Sequence, residues 1–155
     1  MTQRELGEFL GLTSQQISNY ETGRQPIPRV VVQAITSLAP RKVSKYSGLS
    51  VEEKKFLEQF VAQLREKTGQ DILFLVAFGS KIRGEGQKDS DLDLLVVVQK
   101  KTPKLREQIF RILFELDPIN RYSLSPILYS LYEFRMNERM NSPFILNLKK
   151  EGALL

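Results

Sequence analysis

The chain has 155 residues, of which 41% are hydrophobic, so one ordinary domain or two small ones can form a packed core. It contains neither cysteine nor histidine, which excludes disulfides, thiol nucleophiles, cysteine or histidine zinc sites and serine–histidine–aspartate triads. The formal charge of +5 suits a polyanionic partner. No apolar run is long enough to span a bilayer and the N-terminus lacks a signal-peptide pattern, so we expect a cytoplasmic protein with no membrane contact.

Two short helices are predicted at the N-terminus, each opened by a capping box. In a capping box, a hydroxyl residue and an acidic or amide residue three positions later satisfy free backbone amides at the start of a helix. Thr2 and Glu5 form the first such pair, and Thr13 and Gln16 form the second. Because Gly11 ends the first helix in a tight turn, the two helices form a helix-turn-helix.

This region resembles the DNA-binding helix-turn-helix of phage repressors, the XRE/Cro-like type, in the pattern Gln3-x-x-Leu6-Gly7 … Gly11-Leu12-Thr13 … Tyr20-Glu21-x-Gly23-Arg24. In that family the second helix enters the major groove. The resemblance implies that four polar residues of this helix face the base edges of operator DNA: Gln15, Gln16, Ser18 and Asn19. It also implies that Arg24 holds a phosphate. A helical hairpin used only for packing or dimerisation is the alternative.

The resembled family has a further helix before the position of Thr2. Either the unit is trimmed, or the true start lies upstream, or another element covers the face that this helix would cover. One more helix is predicted over 29–38. We therefore assign residues 1–39 to the helix-turn-helix unit, the basic and aperiodic residues 40–49 to a linker, and residues 50–155 to a second domain.

The second domain combines amphipathic helices with short apolar runs that are typical of strands. Ser50 and Glu53 form a third capping box before the first of these helices. The expected order is helix, strand, strand, helix, strand, helix and helix, at residues 50–67, 72–78, 91–98, 102–116, 124–130, 131–140 and 144–150, followed by a loose tail.

The ends of the first two strands carry a pattern suited to nucleotide chemistry. Asp91 and Asp93 are two residues apart on a strand, so both carboxylates point to one side. Two hard oxygen ligands at one point suit Mg²⁺, which takes the rest of its shell from water and substrate phosphates. Gly79 lets backbone approach a phosphate closely, and the amides there can form an anion-binding concavity with the hydroxyl of Ser80. The sequence therefore predicts a site for a nucleoside triphosphate.

Gly79-Ser80, ten intervening residues and Asp91-x-Asp93 resemble the signature of the nucleotidyltransferase superfamily that includes DNA polymerase β, and most closely its minimal nucleotidyltransferases. The resemblance covers residues 50–155 and implies an α+β fold with a small mixed sheet and helices packed on one side. It implies that Asp91 and Asp93 are the catalytic residues that hold Mg²⁺. Four residues are implied to bind the phosphates of ATP: Gly79, Ser80, Lys81 and Arg83.

Many members of that family carry a third acidic residue on the following strand, where it helps to activate the nucleophile. The matching position here is Ser125, which cannot replace a metal-binding carboxylate. The site therefore uses an already good nucleophile, takes a base from elsewhere, or only binds nucleotide. Glu133 lies too far along the chain to substitute for the missing group.

The two resemblances together imply an antitoxin. Minimal nucleotidyltransferases of this size are often paired with a HEPN-type toxin from an adjacent gene, and some transfer AMP to it. A fused helix-turn-helix would repress the promoter of such a pair, and paired DNA half-sites favour a homodimer, alone or in a hetero-oligomer with the toxin. The main alternative is a nucleotide-binding and DNA-binding transcriptional regulator without turnover, and a weaker one is transfer to an antibiotic hydroxyl.

Overall fold

A computed structural model describes residues 2–29, 31–32, 46, 48–87 and 89–155. The predicted helix over 29–38 and the predicted linker over 40–49 lie largely outside these residues. Within them the elements are, in chain order, α1 (Gln3–Leu10), α2 (Ser14–Glu21), α3 (Val51–Thr68), β1 (Ile72–Phe78), α4 (Ser80–Arg83), β2 (Leu92–Val98), α5 (Pro103–Leu116), β3 (Leu124–Ser130), α6 (Leu131–Arg139), α7 (Pro143–Glu151) and β4 (Ala153–Leu154). None of the described helices has the length and apolar character needed to span a bilayer.

The four strands form one mixed sheet in the order β3-β2-β1-β4. β1 is antiparallel to both β2 and β4, and β2 is parallel to β3. The predicted α+β class and the small mixed sheet are therefore confirmed. The expected loose tail is wrong in part, because Ala153 and Leu154 add a short edge strand beside β1.

Helices cover both faces of this sheet. Leu94, Val96 and Val98 of β2 point into a core built with α3 and α5. Leu95 and Val97 point into a second core built with α6, α7 and residues of the N-terminal segment. The expectation that helices pack on one side only is therefore wrong. The physical reason lies in the central strands, whose uninterrupted apolar runs need cover on both faces.

The N-terminal segment supplies part of this second core. Both predicted capping boxes are present, and Gly11 ends α1 in the left-handed conformation, with φ of +66°. A Cβ on Gly7 would lie 2.5 Å from the carbonyl oxygen of Leu12, so the turn passes directly against α1. Tyr20 and Ile27 are buried among side chains of the sheet and of α6 and α7.

A buried carboxylate ties α2 to α6. Glu21, which is 3% exposed, accepts hydrogen bonds from Arg139 at 3.0 Å and from Arg135 at 3.4 Å. Gln3 of α1 donates to the same carboxylate at 2.9 Å. Arg135 also pairs with Glu138 on its own helix. The N-terminal helices are thus held to the sheet by apolar packing and by charge together.

Candidate active site

The two aspartates lie where β2 begins, between β1 and β3. Asp93 stands in register with Phe78 on one side and with Ser125 on the other. It is half-buried, whereas Asp91 is exposed one residue before the strand. Burial raises the pKa of Asp93, and the negative charge of Asp91 raises it further. The two carboxylates are therefore close enough to repel each other, and a divalent cation would relieve that repulsion.

Gly79 brings the end of β1 against the Asp93 carboxylate. Its φ is +92°, a conformation that favours glycine, and a Cβ there would lie 2.5 Å from Oδ2 of Asp93. Ser80 follows at the start of α4 and its carbonyl accepts hydrogen bonds from the amides of Glu85 and Gly86, both at 3.0 Å. The structure thus brings Gly79, Ser80 and the two aspartates together.

The two predicted basic contacts already have carboxylate partners. The ammonium of Lys81 is buried and donates to Glu53 of α3 at 2.6 Å. The guanidinium of Arg83 donates to Glu85 at 2.8 Å and to Glu151 at 2.7 Å. Either cation would have to exchange partners before it met a phosphate, so both phosphate contacts remain predictions.

The loop that carries this corner is also packed from behind. A Cβ on Gly48 would lie 1.8 Å from the carbonyl oxygen of Lys81 and 2.6 Å from the amide nitrogen of Gly84. Gly48 therefore lies directly against α4, while Lys81 binds α3 through Glu53. These two contacts fix the turn that follows Gly79.

The acidic groups suit a metal that arrives with a nucleotide. Asp91 and Asp93 offer hard oxygen donors, and in the part of the chain that the structure describes, no group of three acidic, cysteine or histidine side chains is placed to hold a metal ion. Two carboxylates completed by substrate phosphates and water match the usual shell of Mg²⁺, whereas an all-protein cage would need more ligands. Ser125 occupies the strand position beside Asp93. Glu133 lies elsewhere, bound to Lys101 and to the amide of Ser130.

An open hollow lies on the β3 side of the aspartates. It encloses about 290 Å³ and is lined by Asp91, Phe110, Asn120, Ser123, Leu124, Ser125 and Pro126. Neither Phe110 nor Asn120 was predicted from the sequence to belong to the site. The sequence feature that could have indicated Phe110 is its position outside the apolar face of α5. An aromatic side chain there is 42% exposed.

The predicted DNA-reading residues lie on α2 and just after it. Gln15, Gln16 and Arg24 are exposed, and Ser18 and Asn19 are half-buried. Gln15 donates to the side chain of Asn19 at 3.1 Å. The side-chain oxygen of Gln16 accepts from the amide of Thr13 at 2.9 Å, so Gln16 also caps its own helix. These residues are separate from the aspartate site, and DNA contact by them remains a prediction.

The family described as nucleotidyltransferase domain matches residues 57–145, more than half of the chain and including both aspartates and the Gly79–Ser80 corner. The chain belongs to this family. A relative from Methanocaldococcus jannaschii, provisionally named a protein adenylyltransferase, is 38% identical over 76 residues, which cover 46% of this chain and 51% of the relative. The chain thus spans about half the length of that relative. The nucleotidyltransferase match begins after α1 and α2, so the helix-turn-helix assignment rests on the N-terminal sequence pattern.

Proposed function

We propose that this nucleotidyltransferase uses Mg²⁺ and ATP to transfer AMP to a partner protein. The observation that supports this most directly is the packing of Gly79 against the Asp93 carboxylate, with Asp91 beside it. The corner that we propose for phosphate and the carboxylates that we propose for the metal ion therefore lie next to each other. In the reaction, an acceptor oxygen attacks the α-phosphorus of ATP, the bond to the β-phosphate oxygen breaks, pyrophosphate leaves, and the acceptor hydroxyl loses its proton.

Each residue of the site has a defined part in this reaction. Asp91 and Asp93 would hold the metal ion, which when bound neutralises charge on the triphosphate. Gly79 admits the terminal phosphates close to the backbone, and Ser80 donates its hydroxyl to them. Because Ser125 replaces a carboxylate beside Asp93, the acceptor proton passes to water or to a group on the acceptor itself.

Two considerations support a protein acceptor. The relative is named as a protein adenylyltransferase, and minimal nucleotidyltransferases, which this chain resembles, are often antitoxins. We therefore take the acceptor to be a HEPN-type toxin encoded by the adjacent gene, and the complex to be a hetero-oligomer.

The test is transfer of label from ATP labelled at the α-phosphate to the product of the adjacent gene, in the presence of Mg²⁺. Asp91→Asn and Asp93→Asn should each lower the rate by more than about 100-fold, since even residues that only orient metal ligands typically contribute about 10–100-fold. Asp89→Asn removes an exposed carboxylate two residues earlier and should leave the rate unchanged. Label that is independent of Asp91 and Asp93 would refute the assignment.

We propose in addition that α2 binds operator DNA. The observation in favour is that its inner residues are buried, Tyr20 among side chains of the sheet and Glu21 against α6, while Gln15 is exposed. Fluorescence anisotropy with a duplex from the gene's own promoter should show binding that weakens steeply with salt. Gln15→Ala should reduce the preference for this duplex over a scrambled one, and Arg24→Ala should weaken binding to both.

Two features sharpen the DNA experiment. Gln16 is a poor choice for substitution because it caps α2, so its loss would also weaken the helix. Lys150, an exposed cation on α7, provides the matched control for Arg24, and Lys150→Ala should leave binding unchanged. Equal affinity of the wild type for both duplexes, with no effect of Gln15→Ala, would remove the regulatory role.

A further inference from the structure

The order of the strands separates the two ends of the proposed reaction. Gly79–Ser80 follow β1, the aspartates begin β2, and Ser125 lies on β3, on the far side of β2. In phosphoryl transfer the attacking and leaving oxygens lie roughly in line, on opposite sides of the phosphorus. If pyrophosphate leaves from the Gly79–Ser80 corner, the acceptor oxygen must enter from the β3 side. This step rests on the function proposed above.

The β3 side has the shape and chemistry of an entry. The hollow of about 290 Å³ reaches Asp91, and its polar lining residues include Asn120, Ser123 and Ser125. Phe110 of α5 is part of its lining. A single side chain that carries a hydroxyl would fit this volume, and the polar lining would orient it.

Phe110, which lines the hollow, Phe114 on the same helix and Ile119 in the loop after it are 42%, 67% and 74% exposed, and we call these three residues the α5 surface. Phe110 and Phe114 are four residues apart on one helix, so they lie on the same side of it. The buried face of α5 uses other residues, Leu105, Ile109 and Ile112. Three large apolar side chains exposed beside a candidate site are typical of an interaction surface.

The charges around the α5 surface indicate what kind of partner it would take. The guanidinium of Arg106 lies 5.8 Å from the centre of the Phe110 ring. Arg106 is exposed, and within the described residues it forms no ion pair with a carboxylate of this chain. By contrast, Arg111 on the same helix is paired with Glu107. A partner with apolar residues flanked by carboxylates would complement this surface.

We propose that the acceptor protein docks on the α5 surface through apolar and acidic residues, and that it inserts its hydroxyl-bearing side chain through the hollow to Asp91. A small acceptor would fill only the hollow and would leave Phe114 and Ile119 uncovered. A protein acceptor covers both and brings its hydroxyl from the side that in-line transfer requires.

The experiment uses Phe114→Asp and Ile119→Asp in the full chain, with the product of the adjacent gene as acceptor and ATP labelled at the α-phosphate. Each substitution should raise the KM for the acceptor protein by about tenfold or more. Binding of ATP with Mg²⁺, measured by calorimetry, should stay unchanged, because neither residue lies at the aspartates or at the Gly79–Ser80 corner. Leu146→Asp on α7, at a residue that is 51% exposed, is the matched control and should behave as wild type.

The possible outcomes separate the two proposals. In one outcome, wild type transfers label in a reaction that depends on Asp91, but Phe114→Asp and Ile119→Asp leave the KM for the acceptor unchanged. That result would refute the docking surface and leave the proposed function in place. If wild type transfers no label to any protein, both fail. If sedimentation shows that Phe114→Asp only dissociates a homodimer while transfer persists, the α5 surface is an interface between copies of this chain, and the docking proposal is overturned.

Discussion

At the scale of single residues, the site depends on how Asp93 is enclosed. Its carboxylate lies against a backbone position that has no room for a side chain, and it is also repelled by the negative charge of Asp91. The first contact fixes where the carboxylate oxygen lies. The second makes the ionised pair unfavourable until a cation is bound. Both contacts can be tested by conservative substitutions.

Gly79→Ala should reduce stability and activity together. The added Cβ would lie 2.5 Å from Oδ2 of Asp93, and alanine is strained at φ of +92°. We expect a loss of about 1–3 kcal/mol in the free energy of unfolding, measured by chemical denaturation. Gly69→Ala is the matched control, because Gly69 has φ of +60° but a Cβ added there would have no neighbour within 4 Å. Equal loss of transfer activity in both variants would show that backbone strain alone is responsible.

Asp93→Asn should stabilise the metal-free protein at neutral pH. Because the pKa of Asp93 is raised on folding, the folded chain holds this proton more tightly than the unfolded chain does. The contribution of protonated Asp93 to the free energy of unfolding is fully present below the ordinary pKa of aspartate, about 3.9. This contribution is lost as the pH rises through the raised pKa of the folded chain. The Tm of the variant should therefore exceed that of wild type at pH 7 without Mg²⁺, and the gap should close on acidification.

Mg²⁺ with ATP should reverse this order. Wild type has the carboxylate pair that would bind the metal ion, so its Tm should rise on addition of both, whereas that of Asp93→Asn should change little. Differential scanning fluorimetry over a pH series measures both effects. A metal-free wild type that is at least as stable as Asp93→Asn at pH 7 would contradict the unfavourable carboxylate pair.

At the scale of elements, local sequence patterns predicted where most helices and strands begin. They did not predict the elements whose formation depends on tertiary contacts. The three predicted capping boxes are present because each depends only on residues three positions apart. The limits of β1 and β3 were also predicted. α4 was missed, since four residues carry no periodicity, and it is held by the contacts of Gly48 and Lys81. β4 was missed because two residues form a strand only where β1 offers an open edge.

The position of α2 could not be predicted from its own sequence. Its apolar residues show that one side is buried but not what buries it. Glu21 resembled an ordinary acidic residue at a helix end, and its partners, Arg135 and Arg139, lie more than a hundred residues later. The proximity of the Asp91–Asp93 pair and the Gly79–Ser80 corner was easier to predict, because these residues lie at neighbouring ends of two consecutive apolar runs that pair as β1 and β2.

Glu21→Ala should destabilise the whole protein. It removes the carboxylate that two buried or half-buried arginines share, and loss of one partner from a buried pair typically costs about 3–5 kcal/mol. Glu8→Ala on α1 is the matched control, since its ion pair with Arg4 is exposed and such pairs contribute about 0.3–0.5 kcal/mol. Urea denaturation followed by circular dichroism compares the two variants. A loss below about 1 kcal/mol for Glu21→Ala would show that the arginines find other partners.

At the scale of the whole molecule, the second core joins the N-terminal helices to the nucleotidyltransferase domain. Phe74, Val76, Leu95 and Val97 of the sheet share this core with Tyr20 and Ile27. The arrangement predicts that both parts unfold together although the sequence suggests two units.

A fragment that begins at residue 49 should therefore be less stable than the full chain. Without the N-terminal segment, part of the apolar face of β1 and β2 is exposed to water, and each buried side chain so exposed loses about 1.5–3 kcal/mol of stabilisation. We expect a single unfolding transition for the full chain in calorimetry, and a lower midpoint with binding of a hydrophobic dye for the fragment. Two separate transitions in the full chain, one matching that of the fragment, would indicate independent domains.

The bracing of α4 by Gly48 and by the Lys81–Glu53 ion pair has a consequence for nucleotide capture. A turn that is already rigid in the free protein loses little conformational entropy when it binds the triphosphate of a nucleotide. Association should then follow a single kinetic phase limited by collision, without a slow isomerisation step afterwards. Loosening the brace, as Glu53→Gln would do, should add such a step and slow the approach to equilibrium, although Gly79 and Ser80 themselves are unchanged.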